Sequence, residues 1–223
     1  MKINTLIRRA QVYRFLADAF LYPRENWLED LPVLHAIFQD LELGELQPDA
    51  STLELGDLQA EHRRVFGLTG SMCYETEIGL PHEYRQSQEM ADIAGFYRAF
   101  GFTTGGPVRE RPDHIAVELE FMHVLVLKEA YAIQNGITEH DEVCLDAQRS
   151  FLQEHLGKWT GLLAEAVEKT TGEGAYADLA KLLATFIRAD AVRLGVTLEP
   201  RTLAAIRPTP PPQDISCASC PVA

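Results

Sequence analysis

Three groups of residues have types and spacings that could do chemistry. Glu120-x-x-His123 has the ligand spacing used in di-iron helical bundles, and His114 and Glu118 lie close by. Such a site needs a second Glu-x-x-His and further carboxylates from other helices, and the sequence holds no second copy. At about 100° per residue His114 and Glu118 share a helix face while His123 lies nearly opposite, so the three do not converge on one ion. Cys217-x-x-Cys220 is a lone pair near the C-terminus, whereas a structural zinc site takes four ligands. Cys73, Cys144 or a histidine completes it only if the tail folds back, so two reduced thiols are expected, with no metal and no cofactor. The third group is Pro112-Asp113-His114. Proline pins a loop between two helices, and Asp113 and His114 accept and donate hydrogen bonds there. A carboxylate so placed either caps the following helix or pairs with an arginine. Gly-rich phosphate loops, nucleophile elbows and dinucleotide fingerprints are absent from the sequence. An enzyme is not the expected reading.

The elements that must position these residues are helical. Ile3, Leu6, Ile7, Ala10, Tyr13, Ala17, Phe20 and Leu21 recur every three or four residues, an apolar stripe that ends at Pro23. Arg8 and Arg9 on that helix read as two solvent-facing arginines. Further helices are expected over residues 31–43 with Pro32 in the first turn, 51–66, 87–100 closed by Gly101, 113–131 with Asp113 as its cap, from a Thr138-x-x-Asp141 capping box to about 156, 159–167 after a break at Gly157, and 175–194. Ile115, Leu119, Met122 and Leu125 are expected to be buried against the first and last helices. No alternating pattern suggests a sheet. The fold class is all-α, a bundle of about six or seven helices over residues 1–198, followed by a Pro-rich extended tail over 199–223.

Composition narrows the function. The 223 residues are 46% hydrophobic, enough for one core, and apolar stretches are broken by charges every few residues, so no membrane insertion is expected. The N-terminus has a basic pair but neither an apolar segment nor a cleavage site after it, so an export signal is not expected and a cytoplasmic location is. A formal net charge of −13 opposes nucleic-acid binding. From Glu25 to Glu61 there are ten acidic residues and no Lys or Arg, which is either a solvated face or a surface that steers a basic peptide.

Two stretches resemble a known family. Cys73-Tyr74-Glu75-Thr76-Glu77-Ile78-Gly79, with the helix Ala91-Asp92-Ile93-Ala94-Gly95-Phe96-Tyr97-Arg98-Ala99-Phe100-Gly101 after it, is one; Glu110-Arg111-Pro112-Asp113-His114, leading into Glu118-Leu119-Glu120-Phe121-Met122, is the other. Together with Tyr13-Arg14-Phe15-Leu16-Ala17-Asp18 in the first helix they are similar to the TorD/DmsD/NarJ chaperones over about residues 10–195. The resemblance implies an all-helical, non-catalytic protein. Its implied partners are the apo-form of a molybdenum enzyme's catalytic subunit and that subunit's twin-arginine leader peptide, bound in the cytoplasm until cofactor is inserted. It implies a peptide-binding region at Tyr74, Glu75, Pro112, Asp113 and His114, in a monomer or a helix-swapped homodimer. Cys73 stands where the family frequently has proline, and Ile78 where it often has an aromatic residue. A di-iron helical bundle and a general helical interaction module are the alternative readings.

Overall fold

Charge placement inside the first helix sets the frame for the rest. The computed structural model describes residues 2–43, 53–67, 72–78, 83–104 and 110–201. Helix α1, Lys2–Ala19, buries Leu6, Ala10, Val12, Tyr13, Leu16 and Ala17, and between them Arg9, which is 2% exposed. This corrects the expectation of two solvent-facing arginines. Only Arg8 behaves so, with an exposed side chain 3.1 Å from Asp40. Arg9 lies three residues after Leu6 and four before Tyr13, squarely on the buried face. Its guanidinium reaches both oxygens of Asp190, at 2.6 and 2.8 Å, and Gln148 Oε1 at 3.0 Å. Tyr13 donates to the same Asp190 at 2.7 Å, and Gln148 donates on to Glu129 at 2.8 Å. Ile7, expected in the apolar stripe, is instead exposed.

After a one-turn 3-10 helix, Trp27–Asp30, capped by the Asn26 side chain, come α2, Leu31–Asp40, with Pro32 in its first turn, and α3, Leu55–Phe66. Helix α4, Glu83–Ala99, ends at Gly101, whose φ of 64° is the left-handed turn that a side chain would resist. Helix α5, Ile115–Gln134, buries Ile115, Leu119, Met122 and Leu125 completely. It packs lengthwise against α1 on one side and α6, Thr138–Phe151, on the other, so its second neighbour is α6 and not the last helix. The expected capping box is not formed: Ile137 is the cap residue of α6 and no side chain bonds the helix end.

Nor does Gly157 break the chain. A π-helical turn, Leu152–Leu156, carries α6 directly into α7, Gly157–Thr171, as one rod. The glycine is needed for a close approach, because a Cβ there would meet the Leu152 carbonyl at 2.6 Å and the Leu198 side chain. Helix α8, Ala175–Leu194, packs on α7, and the chain then runs back across Gly157 to Arg201, whose N–H bonds the Lys158 carbonyl at 2.8 Å. With α6 and α7 counted as one rod the described residues form seven helical rods, and they contain no strand beyond one isolated antiparallel bridge between Tyr74 and His114. Among them no helix is long and apolar enough to cross a membrane. The first three residues of the expected tail, 199–201, are described, while residues 202–223, with Cys217 and Cys220, lie outside the described residues; Cys73 and Cys144 are buried.

Removing one member of a buried ion pair leaves the other desolvated and unpaired, which costs about 3–5 kcal/mol. Arg9→Ala is therefore expected to lower unfolding stability by about that amount, against about 0–1 kcal/mol for Arg8→Ala with its exposed partner. Urea denaturation of the two single variants measures the difference.

Candidate functional site

Two irregular segments meet beneath the N-terminus of α5. The Ile115 N–H bonds the Cys73 carbonyl at 2.8 Å and the Glu75 N–H bonds the Asp113 carbonyl at 2.9 Å, which brings Tyr74 opposite His114. All five residues expected at the site, Tyr74, Glu75, Pro112, Asp113 and His114, are thereby assembled in one place. The side chains divide into two environments.

Glu75 and Asp113 face inward and are wholly buried. Asp113 is not the cap of α5. Its carboxylate accepts from the Thr76 hydroxyl at 2.6 Å and from Arg111 through both oxygens, at 3.0 and 2.8 Å. The cap is His114, whose Nδ1 accepts the Ala116 N–H at 3.1 Å. That bond needs a neutral ring, and burial supplies one by pushing the imidazole pKa down to about 4. Glu75 is held from two directions: Arg201 donates to Oε1 at 2.7 Å, and His155 Nδ1 lies 3.0 Å from Oε2. Pro112 is tied to α4, because Tyr97 Oη donates to its carbonyl at 2.7 Å.

Tyr74 faces the other way. Its ring packs edge to face on His114 at 5.1 Å, the Arg111 guanidinium stacks on it at 4.4 Å, and its hydroxyl donates to Glu110 at 2.9 Å. Burial and that carboxylate push the phenol up to about 12, so it remains a donor throughout the neutral range. Glu110, in turn, lines a groove of about 710 Å³ between the C-terminal half of α1, the connection after it, residues 102–104 and the first turns of α5. Leu21, Tyr22, Trp27, Phe102 and Val117 supply its apolar surface, and five carboxylates, Asp18, Glu25, Asp30, Glu110 and Glu120, face two guanidiniums, Arg14 and Arg24. Arg14 is itself paired with Asp18 and Glu120. The acidic run thus gives Glu25 and Asp30 to this rim. Other members serve the fold, Asp40 on Arg8 and Glu61 accepting the Tyr176 N–H at the start of α8, while Glu45 and Asp49 lie outside the described residues.

The metal-like spacing does not assemble. Glu120 pairs with Arg14 at 3.1 Å, and His123 Nδ1 lies 2.7 Å from the Ala10 carbonyl, both directed at α1. Several site residues escaped the sequence reading. Glu110, Arg111, Thr76 and Tyr97 stand inside the quoted motifs, and their adjacency was the available signal. Nothing local signals Arg201, which is 126 residues from Glu75. Glu118, noted from the sequence only for lying near the Glu-x-x-His spacing, is fully buried one turn into α5, accepts from Trp159 Nε1 at 3.2 Å and leaves Oε1 without a donor.

Burial first, and the neighbouring Glu75 carboxylate second, push Glu118 well above its ordinary value of 4.5. The folded chain keeps this proton where the unfolded chain has lost it, so stability declines as pH rises above 4.5 until the raised pKa is passed. Glu118→Gln, a neutral isostere, is expected to flatten the decline on the alkaline side of 4.5 without loss of stability there. Thermal unfolding across that range measures it.

With the geometry in place, comparison with known proteins is specific. The nitrate reductase delta subunit family matches residues 29–165. The perchlorate reductase assembly chaperone protein of Dechloromonas aromatica is 34% identical over 98 residues, 44% of this chain and 43% of its own length. The chlorate reductase assembly chaperone protein of Ideonella dechloratans is 30% identical over 200 residues, 86% of this chain and 95% of its own. The selenate reductase assembly chaperone protein of Thauera selenatis is 33% identical over 106 residues, 48% of this chain and 53% of its own. The match therefore spans about half or less of two of these relatives and nearly all of the third. Both motif stretches, and the bridge they form, fall inside the family match, and the chain belongs to the nitrate reductase delta subunit family, within the TorD/DmsD/NarJ group that its motifs resemble.

Proposed function

We propose that this chain is a non-enzymatic assembly chaperone for the catalytic subunit of a molybdenum-containing reductase, acting in the cytoplasm on the apo-form and its paired-arginine leader. The groove beside the Tyr74–His114 bridge carries this reading. It joins an apolar floor to a rim with more carboxylates than guanidiniums, which complements a peptide with two arginines next to an apolar stretch. Relatives named as reductase assembly chaperones support the client class. The inward pair Glu75 and Asp113 already holds arginines of this chain, so the client arginines meet Glu110, Glu25 and Asp30, while Pro112, Asp113 and His114 fix the wall behind them. His114, being neutral, adds no opposing charge.

A charge-assisted hydrogen bond contributes about 1.5–3 kcal/mol, so Glu25→Gln/Glu110→Gln is expected to weaken leader binding about tenfold or more, and rising salt to weaken it further. Asp113→Asn weakens it as well, but with a loss of thermal stability that the groove variant does not show, because it releases Arg111 from the turn. Calorimetric titration of a synthetic paired-arginine leader peptide into each protein is the measurement. Affinity unchanged in the groove variant would remove the groove from the reading.

A further inference from the structure

His155 sits in the π-helical turn between α6 and α7 with its side chain fully buried, and its two ring nitrogens meet different surroundings. Nδ1 lies 3.0 Å from Glu75 Oε2. A carboxylate that also receives Arg201 only accepts, so Nδ1 carries a proton, and in the neutral ring Nε2 presents a lone pair. That nitrogen is buried and has no hydrogen-bond partner. Its closest ionic neighbour is Asp92 Oδ2 on α4, at 3.4 Å. Buried side-chain nitrogens are rarely left so, and an orphaned one in a native fold points to an occupant.

We propose that Asp92, Glu154 and His155 form a binding site for a divalent cation of the zinc class. One donor atom from each lies within 4.8 Å of the others. Ligands about 2.0–2.2 Å from a shared ion stand about 3.4 Å apart in tetrahedral geometry, so closure needs shifts of about an ångström. Asp92 and Glu154 are exposed and can make them, while the imidazole is already fixed. An imidazole nitrogen with two carboxylate oxygens suits zinc and its neighbours better than magnesium or calcium, which prefer all-oxygen shells. Glu75 behind His155 completes the carboxylate–histidine–metal arrangement that orients a ligating ring and raises its basicity. Three protein donors leave a coordination position for water or a client side chain. The inner trio Glu75, Glu89 and His155 has comparable spacing but already holds a cation, since Arg201 lies 2.7 Å from Glu75 and 3.4 Å from Glu89. The ion therefore belongs on the outer side of the ring. There it ties α4, which anchors Pro112 through Tyr97, to the α6–α7 rod.

Full-length protein stripped with chelator and titrated with zinc chloride, and separately with cobalt chloride read by visible absorption, tests the site. The reference is Cys217→Ser/Cys220→Ser, which removes the tail thiols as competing ligands. One ion per chain is expected in this reference, with the melting temperature rising on binding. Adding Asp92→Asn or Glu154→Gln, both exposed positions, should weaken binding tenfold or more, and adding Glu75→Gln should weaken it about tenfold through the imidazole alone. Cobalt absorption should lack a thiolate band. Absence of saturable binding in the thiol-free reference overturns the proposal, as does binding that Asp92→Asn and Glu154→Gln leave unchanged.

Discussion

A carboxylate taken out of water must find its donors inside the protein, and the described residues of this fold are organised around five of them. Glu75, Asp113, Glu118, Glu129 and Asp190 are all buried. Desolvating an ion costs several kcal/mol unless geometry and hydrogen bonds return it, so each acid either recruits cations and donors or keeps its proton. Asp190 recruits Arg9, 181 residues away, and so closes the last helix onto the first. Glu129 receives Gln148 and stands 3.6 Å from Lys2, which adds α5 and α6 to the same network. Asp113 gathers Thr76 and Arg111, and Glu75 gathers His155 and Arg201. Glu118, with one indole donor and a like charge nearby, keeps its proton. Apolar packing gives the helices their reason to associate, and these acids select which helices and segments do so.

In the proposed reading the same constraint separates building from binding. An arginine arriving from outside cannot reach Asp113 or Glu75 without displacing Arg111 or Arg201, each already making two or more charge-assisted bonds. What the inward acids do is hold the two irregular segments in antiparallel contact, and that contact sets Tyr74 against His114 and hands the Tyr74 hydroxyl to Glu110. A short chain of fixed groups thus links the buried turn to the groove rim. Glu110 belongs to both, which is why the turn and the groove behave as one site in the proposed reading.

The helices were legible because their periodicities are strong. The last one begins and ends where the pattern does, at Ala175 and Leu194, and the buried face of α5 contains the four residues its spacing indicates. The gathering of Tyr74, Glu75, Pro112, Asp113 and His114 was legible through family resemblance, and spacing alone would not have joined segments about forty residues apart. Errors arose wherever a distant partner overrode a local rule. Arg9 has the register of a core residue, but a lone arginine reads as solvent-facing until Asp190 is known. Asp113 has the right identity and position to cap α5, yet Thr76 and Arg111 claim it, and the cap passes to a histidine, a residue type seldom expected there. Gly157 looked like a break because glycine commonly ends helices; here it makes room for the returning chain at Leu198.

Neutral groups matter as much as charged ones at the start of α5. His114 caps the helix through a lone pair, so protonation would remove the cap and place a cation in a buried site, and a pKa lowered to about 4 keeps that event far from neutral pH. Relative to an unfolded chain titrating near its ordinary 6.5, the folded form loses stability only as pH falls below that value, and the loss is complete once the lower pKa is passed. Glu118, one turn on, is uncharged for the same reason, burial, which acts on an acid in the opposite direction so that it holds its proton upward in pH. Between these two limits the floor of the site carries no titrating charge from either residue. The potential in the groove is then set by the rim, where Glu25, Asp30 and Glu110 face the open space. In the proposed reading such a site separates shape from charge: buried neutral groups and closed ion pairs keep the wall in place, and exposed carboxylates attract the client at a strength that salt can tune.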